Sequence, residues 1–267
     1  MKKKIRKTVL MFVCMTFVFS AAVLWHRVSE YNEATEIYDE AVALAMTPEV
    51  IVPEEAEEAA VTGSAVSEAA VYVNPYADEF ASMDFEALRE VNDEVIGWIN
   101  IPGTKLSYPL LQSPDNDYYL DRAWNGTKNA SGSIFMECRN SFTLNDINTI
   151  IYGHRMGNNT MFGSLAKYKD ISYWEANPIV NVSNEEGSYS YLIFAAYETD
   201  VTSDTFRIKF ENKKEQQDLI DHAVNSSVID TGIVPGEGSK ILTLSTCIGA
   251  SVKSDTRWVV QAVRVDL

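Results

Sequence analysis

Three residues that can act together in acyl transfer each stand at the end of a strand-like segment. His154 ends TIIYGH, Cys247 ends ILTLSTC, and Arg257 begins RWVVQAVRV. A thiolate can attack a carbonyl carbon, an imidazole can take up and return the proton, and a guanidinium can hold the developing oxyanion. Each of these residues alone is more often structural than catalytic. Their combination predicts acyl transfer through a thioester.

The other cysteines decide whether Cys247 is available as a nucleophile. Cys14 lies within an apolar segment near the N-terminus, which leaves Cys138 and Cys247 in the rest of the chain. In an exported protein two such thiols can form one disulfide, and the sequence leaves this alternative open. A reactive Cys247 requires an unpaired Cys138, which we then expect to be buried and inert.

After the segment that begins at Asp84, the chain has mostly the pattern of β-strands separated by polar turns. The eight segments with this pattern are GWINIPG, LSYPLLQ, GSIFMEC, TIIYGH, PIVNVS, YSYLIFAAYETD, KILTLSTC and RWVVQAVRVDL. Eight such segments with polar turns between them predict a mainly β fold, either a mostly antiparallel barrel or a sandwich.

Two segments have helical patterns instead. In DFEALREVN, Asp84 is a candidate N-cap for a short amphipathic helix that begins the globular domain. Between the sixth and seventh strands, residues 210–227 place Leu219, Ile220 and Ala223 at helical spacing. We therefore expect a barrel with helices inserted.

The N-terminus has the composition of a membrane anchor. Five of the first seven residues are basic, and residues 8–25 then form a run of 18 residues without a charge. Such a run is just long enough to span a bilayer, and the basic cluster keeps the N-terminus cytoplasmic. The alternative is a cleaved signal peptide, for which FSAA is a weak cleavage site. We expect a retained, single-pass anchor with the rest of the chain outside the cell.

The charge of the chain is strongly acidic and unevenly distributed. The formal net charge is −16 and the isoelectric point is about 4.6, which excludes a nucleic-acid partner because phosphate binding needs clustered Lys and Arg. No Lys or Arg occurs between Arg27 and Arg89. We read residues 1–7 as a cytoplasmic tail, 8–25 as the anchor, 26–83 as an acidic extracellular stalk and 84–267 as the catalytic domain.

Within this stalk the residues from Ser29 to Met46 can continue as a helix, and residues 48–80 have the composition of a flexible spacer. The stalk would let the domain reach away from the bilayer. We expect the domain without residues 1–81 to remain soluble and active.

These residues resemble a known family. TLSTC followed by Arg ten residues after its Cys, with IIYGHRM upstream, is similar to the sortases, which are membrane-anchored cysteine transpeptidases of Gram-positive bacteria. VIGWINIPGTKLSYPLLQSPDNDYYL, GSIFMECRN and NTIIYGHRMGNNTMFGSLAKY resemble class B sortases in particular, and the resemblance covers residues 84–267. It implies an eight-stranded β-barrel with an N-terminal helix and an inserted helix between the sixth and seventh strands.

The resemblance also implies roles for individual residues. Cys247 corresponds to the nucleophile, His154 to the acid/base and Arg257 to the oxyanion partner. Asp255 either orients one of these groups or simply begins a loop. No metal or other cofactor is implied, since neither zinc-ligand spacing nor a calcium-loop pattern occurs in the sequence.

Five further residues match substrate-contacting positions of the family. Ser245 shares a strand side with the nucleophile, Asn116 and Leu120 match walls of the binding pocket, and Thr202 and Phe206 match the loop that covers the groove. Arg207 departs from the apolar residue expected beside them.

By resemblance, the substrate is a secreted protein whose C-terminal sorting signal has Pro second and Thr fourth, followed by an apolar span and a basic tail. Cys247 would cleave after the Thr and hold the protein as a thioester. An amine of a peptidoglycan precursor or cross-bridge would then release it as an amide.

Two other functions remain as alternatives. A cysteine transpeptidase of peptidoglycan stem peptides would share the thiol and the β fold, but its signature has Gly before the Cys and Arg soon after, which STCIG lacks. An anchored adhesion module with a disulfide between Cys138 and Cys247 would be no enzyme. A count of free thiols separates this module from the enzymes.

Overall fold

The computed structural model describes residues 2–46, 83–247 and 255–265, with the backbone alone at residues 2–10, Arg27 and Cys247. The α-helices of these residues are α1 (Lys2–Ala45), α2 (Phe85–Val91), α3 (Ile171–Ala176) and α4 (Lys213–Ser226). The strands are β1 (Val95–Asn100), β2 (Ser107–Leu111), β3 (Ile134–Met136), β4 (Asn148–Tyr152), β5 (Ile179–Asn184), β6 (Gly187–Asp200), β7 (Ile241–Cys247) and β8 (Thr256–Val265). Short 3-10 helices span Tyr118–Leu120, Phe162–Lys169 and Asp204–Phe206.

The eight strands form one closed barrel in the order β1-β2-β3-β4-β7-β8-β6-β5. The predicted eight-stranded barrel is confirmed, and the sandwich alternative is wrong. Most neighbours pair antiparallel, but β2 pairs parallel with β3, and β4 pairs parallel with β7. Closure leaves no unpaired sheet edge along the barrel wall.

The predicted inserted helix is α4, which packs on the outside of the barrel. Its buried residues are the predicted Leu219, Ile220 and Ala223, and two of them join a cluster with residues of β6, β7 and β8. These strands are therefore covered on both faces, which explains why β6 and β8 contain continuous apolar runs rather than strict alternation.

The N-cap prediction for α2 is also confirmed. The Asp84 carboxylate accepts a hydrogen bond from the backbone N–H of Ala87 at 2.9 Å. This bond satisfies one of the four backbone donors that the first turn of a helix leaves unpaired.

Helix α1 extends well beyond the apolar segment at residues 8–25. Among the described helices it is the one that is long and apolar enough to cross a membrane. It continues without a break to Ala45, so residues 26–45 extend the helix by about 30 Å. The predicted helix after Ser29 is thus present, while residues 48–80 lie outside the described part of the chain.

The last three turns of α1 pack against the barrel. Ala34, Tyr38, Ala41 and Ala45 are buried, and their spacing of three or four residues places them on one face of the helix. Two hydrogen bonds reinforce this contact: Tyr38 Oη donates to the Gly132 carbonyl at 2.6 Å, and the indole N–H of Trp124 donates to a carbonyl of α1 at 2.8 Å.

The C-terminal end of α1 also lies beside the residues that precede α2. Met46 forms an antiparallel bridge with Met83, and the Asp84 N–H donates to the Ala45 carbonyl at 2.9 Å. The two ends of segment 47–82 are therefore held side by side. The role of residues 48–80 as a flexible spacer stays a prediction, since they lie outside the described residues.

This packing predicts that removal of α1 destabilises the barrel. A protein beginning at Met83 should be less stable than one beginning at Ser29 by about 3 kcal/mol, from the lost burial of Tyr38 and two lost hydrogen bonds. The melting temperature should be lower by roughly 6–12 °C. Calorimetry on both proteins measures this difference, and Tyr38→Ala in the longer protein should reproduce a large part of it. Equal melting temperatures would show that the contact contributes no stability.

Candidate active site

One groove at the end of the barrel brings together six of the predicted site residues. The groove has a volume of about 390 Å³. The predicted residues that line it are Asn116, Leu120, His154, Phe206, Ser245 and Arg257. Residues of the groove that the sequence analysis did not identify are Asp117, Phe135, Glu137, Arg139, Tyr152, Gly153, Val201 and Thr246.

The register of three neighbouring strands explains why the candidate catalytic residues meet. Strands β4 and β7 are parallel and place Tyr152 opposite Ser245, so the residues that follow them leave the barrel at the same end. His154 and Cys247 each stand two residues after this pair. Strand β8 runs antiparallel to β7 and places Arg257 directly opposite Cys247. The backbone alone therefore brings all three positions to one rim.

The imidazole of His154 is oriented by a backbone carbonyl. Its Nε2 lies 2.5 Å from the carbonyl oxygen of Leu120, and only a protonated nitrogen can donate to that oxygen. In the neutral ring this bond leaves Nδ1 without a proton, so Nδ1 is the atom that can take a proton from a neighbouring group.

A glycine is required beside this imidazole. Gly132 has φ of +57°, and a Cβ there would stand 2.8 Å from His154 Cδ2, from the Leu120 oxygen and from the Tyr119 oxygen. Any side chain would therefore displace the ring or the carbonyl that orients it, in addition to the strain of a left-handed backbone.

Arg257 is partly buried at the groove and close to the turn after β6. Its guanidinium donates to the Thr256 carbonyl at 3.1 Å, and its backbone lies opposite Thr199 in β6. Asp255, just before β8, is exposed and accepts a hydrogen bond from the Val201 N–H through its carbonyl. Asp255 thus stands immediately before β8, and its backbone pairs with the turn after β6.

Thr202 does not line the groove. It is exposed, and its hydroxyl and backbone N–H both donate to Asp200, at 2.6 and 2.8 Å. These hydrogen bonds, first of all that of the hydroxyl, and the nearby Arg257 charge lower the pKa of the Asp200 carboxyl. Thr202 thus stabilises the turn that follows β6.

Phe206 lines the groove from the short helix Asp204–Phe206, and the next residue faces away from it. The Arg207 guanidinium contacts Asp204 at 2.7 Å and Glu215 of α4 at 3.0 Å. Arg207 thus links the short helix Asp204–Phe206 to α4 and does not face the groove. This explains why the position does not need an apolar side chain.

Two hydroxyl groups in the groove wall are buried without partners. Ser245 and Thr246 are each 2% exposed, and among the described residues neither side-chain oxygen has a hydrogen-bond partner. Buried hydroxyls are normally satisfied. Ser245 and Thr246 are therefore exceptions to this rule within the described part of the chain.

The groove also contains a buried carboxylate, Glu137, that is 1% exposed. It accepts hydrogen bonds from Asn116 Nδ2 at 2.8 Å, Tyr152 Oη at 2.9 Å and Arg139 Nε at 2.7 Å. Asn116 in turn accepts the N–H of Cys138 at 2.8 Å. The amide of Asn116 is therefore engaged at both ends, and it builds the wall of the groove. The sequence signal that could have indicated this cluster is the charge of Glu137 within the apolar run GSIFMEC.

The partners of Glu137 keep it ionised. Burial raises its pKa, but the hydrogen bonds from Arg139, Asn116 and Tyr152 together outweigh burial and lower the pKa to about 2. Burial and the Glu137 charge also raise the pKa of the Tyr152 hydroxyl well above its usual value. The pair is thus an ionised carboxylate and a neutral phenol across the neutral pH range.

This cluster predicts a pH-dependent contribution to stability. The Glu137 pKa is lower in the folded than in the unfolded state, so its contribution is complete above about pH 5 and is lost as the pH falls towards 2. Between pH 5 and 2 the parent should lose about 2 kcal/mol more unfolding free energy than Glu137→Gln. Urea unfolding at a series of pH values measures this difference. Parallel pH profiles would show that Glu137 does not have a lowered pKa.

Cys138 is a free thiol. It is partly exposed rather than buried as expected, and its Sγ lies 3.4 Å from Glu137 Oε1. Desolvation first, and then the Glu137 carboxylate, raise its pKa, which makes it a weak nucleophile near neutral pH. An unpaired Cys138 is what a reactive Cys247 requires.

Comparisons with known proteins agree with this fold and groove. The Sortase domain model matches residues 99–265. Sortase B of Staphylococcus aureus is 37% identical over 184 residues, which cover 69% of this chain and 75% of that protein. Sortase B of Listeria monocytogenes is 35% identical over 174 residues, covering 65% of this chain and 71% of that protein.

Solved structures give the same result. The structure of the Staphylococcus aureus sortase B–substrate complex superposes with a TM-score of 0.65 and 36% identity, covering 68% of this chain and 85% of that chain. Sortase B of Clostridium perfringens has a TM-score of 0.63 and 30% identity, covering 68% of this chain and all of that one. The predicted resemblance is confirmed: this chain belongs to the sortase family of cysteine transpeptidases, and within it to the class B sortases.

Proposed function

We propose that this sortase cleaves the C-terminal sorting signal of secreted proteins after Thr and transfers the protein to an amine of peptidoglycan or its precursor. The observation that carries this proposal is the strand register, which places Cys247 opposite Arg257 and beside the strand that leads to His154. The groove of about 390 Å³ at the same rim provides space for an extended peptide.

The proposed reaction has two acyl-transfer steps. The Cys247 thiolate attacks the Thr carbonyl carbon, and the oxyanion that forms is held by the Arg257 guanidinium. The C–N bond then breaks, and His154 gives a proton to the departing amine. In the second step the acceptor amine attacks the thioester and loses a proton to His154, and the thiolate leaves as the amide bond forms.

The groove has groups suited to a peptide of this kind. Leu120, Val201 and Phe206 supply apolar contacts, which suit a Pro side chain and the methyl group of Thr. Ser245 and Thr246 lie in the same wall.

We further propose that α1 is a single-pass anchor, with the N-terminus in the cytoplasm and the barrel outside the cell. The basic cluster followed by an apolar helix supports this orientation. The substrate carries its own apolar span, and the acceptor is lipid-linked, so both would meet the groove near the membrane. Cell fractionation combined with protease accessibility tests this arrangement. Release of a shortened chain into the medium would favour a cleaved signal peptide.

A peptide library tests the reaction itself. The protein is incubated with pentapeptides that have Pro second and Thr fourth and are varied elsewhere, and intact mass is measured. We expect an adduct on Cys247 equal to the fragment ending at Thr minus one water. Addition of a peptidoglycan cross-bridge amine should remove the adduct and yield an amide-linked product. An adduct formed with peptidoglycan stem peptides instead would identify the rival transpeptidase.

A further inference from the structure

We infer that Tyr38 of α1 is a positioning residue for His154, so that packing of the N-terminal helix on the barrel sets the orientation of the imidazole. The inference rests on the proposed function, in which His154 is the acid/base. Helix and imidazole are linked by two chains of contacts that both begin at Tyr38, one through its hydroxyl and one through its ring.

The first chain runs through Gly132. The Tyr38 hydroxyl donates to the Gly132 carbonyl at 2.6 Å, and Ser133 Oγ lies at 3.4 Å from the same hydroxyl. The Cα of Gly132 faces the imidazole so closely that a Cβ would stand 2.8 Å from His154 Cδ2. A shift of the Gly132 peptide therefore changes the space available to the ring.

The same segment holds the carbonyl that orients the ring. A Cβ at Gly132 would also stand 2.8 Å from the Leu120 oxygen, which is the acceptor for His154 Nε2. The next residue, Ser133, donates its N–H to the Tyr119 carbonyl at 2.9 Å. Gly132 thus packs against both the His154 ring and the Leu120 carbonyl oxygen. The hydrogen bond from Tyr38 holds Gly132 in this position.

The second chain runs through Tyr108. The rings of Tyr38 and Tyr108 meet edge to face at a centroid distance of 5.1 Å, and the Tyr108 hydroxyl accepts the Met161 N–H at 3.0 Å. Met161 has φ of +51°, a conformation that a non-glycine residue keeps only with support from its surroundings. The Phe162 N–H donates to the His154 carbonyl at 2.9 Å, so this chain reaches the backbone of His154.

The hydroxyl of Tyr38 has a role that packing alone does not explain. Tyr38 is buried, and a Phe would fill the same space without the cost of desolvating a hydroxyl. Burial raises the pKa of Tyr38 well above its usual value, so the group remains a donor under all assay conditions. The contact therefore depends on the position of α1 and not on the pH.

The tautomer of His154 provides a direct test. Full-length protein in detergent micelles is labelled with ¹⁵N-histidine, and the three histidines are assigned with His154→Gln. In the parent we expect neutral His154 to be the Nε2–H tautomer. In Tyr38→Phe the Nε2–H fraction should fall clearly, and kcat on the best library peptide should fall about tenfold with KM within twofold.

Matched variants separate positioning from loss of stability. Tyr31→Phe removes a hydroxyl from the same helix, outside the contact with Gly132, and should match the parent in tautomer and kcat. Gly132→Ala places a methyl group against the ring and should disturb the tautomer at least as much as Tyr38→Phe. If Tyr38→Phe is not recovered folded, Tyr108→Phe breaks the second chain and should shift the tautomer in the same direction.

The outcomes distinguish this inference from the proposed function. An unchanged tautomer in Tyr38→Phe overturns the inference, even if the melting temperature falls, because Tyr38 is then only structural. The tautomer measurement needs no substrate. Retained turnover in His154→Gln would overturn the acid/base role in the proposed function, whereas a shifted tautomer in Tyr38→Phe would still support the link between helix and imidazole.

Discussion

Replacement of Cys247 by Ala should abolish turnover of every sorting peptide and leave the fold intact. Without the thiol no thioester can form, and loss of a catalytic nucleophile typically costs more than about 10⁴-fold in kcat. The backbone of Cys247 continues the β7–β8 ladder opposite Arg257, and Ala preserves that pairing. Chromatographic assays of the released peptide measure the loss, with circular dichroism and melting temperature as controls for folding.

The matched control for this variant is the thiol of Cys138, which is free in the structure. Cys138→Ser should keep most of the activity, because the Cys138 thiol has a raised pKa and Cys138 is not among the residues that line the groove. Substantial turnover in Cys247→Ala would refute the thioester mechanism. An equally severe loss in Cys138→Ser would mean that the two thiols act together or are wrongly assigned.

Arg257→Lys should be a severe catalytic lesion although it keeps the positive charge. A guanidinium presents a planar fork of donors that can hold the oxyanion and a substrate carbonyl together, whereas an ammonium is a compact, strongly hydrated charge. Loss of one oxyanion donor typically costs about 100- to 1000-fold in kcat, or roughly 3 to 4 kcal/mol. The position opposite Cys247 and in the groove wall is the reason to expect this cost here.

A second arginine in the same strand provides the control. Arg264 of β8 stacks over the Tyr189 ring at 3.9 Å, and it is not among the groove residues. Arg264→Lys should leave kcat within about threefold of the parent, since Lys can also interact with an aromatic face. If Arg257→Lys behaves like Arg264→Lys, then Arg257 is not the oxyanion partner, and another donor must stabilise the intermediate.

The strands were predictable because their signal is local. Alternating and continuous apolar runs identified all eight strands, and helical spacing identified α4. The meeting of His154 and Cys247 depends instead on the parallel pairing of β4 with β7, two strands far apart in the sequence. Periodicity does not encode such pairing, so the resemblance to sortases was needed to connect the two residues.

The features that were not predicted depend on tertiary contacts. The residues of α1 after Ser29 have an acidic composition typical of a solvated segment, and its buried face consists mainly of small Ala side chains, which give a weak amphipathic signal. Glu137 is buried in an ionised form because Asn116, Arg139 and Tyr152 converge on it from three separate segments. The charge within GSIFMEC marks Glu137 as unusual, but the approach of Asn116 and Tyr152 from distant parts of the sequence has no local pattern.

The bridge between Met46 and Met83 changes what segment 47–82 can contribute. A chain whose ends are joined cannot set the distance between the groups that it connects, whatever its length. The height of the groove above a membrane would then be fixed by the number of helical residues between the apolar part of α1 and the barrel. Insertions or deletions within 47–82 should leave that height unchanged, and each doubling of the loop length should cost only about 0.6 kcal/mol of closure entropy. Inserting whole turns into α1 before Ala34 should raise the groove by about 5.4 Å per turn. The barrel should keep nearly the same orientation about the helix axis.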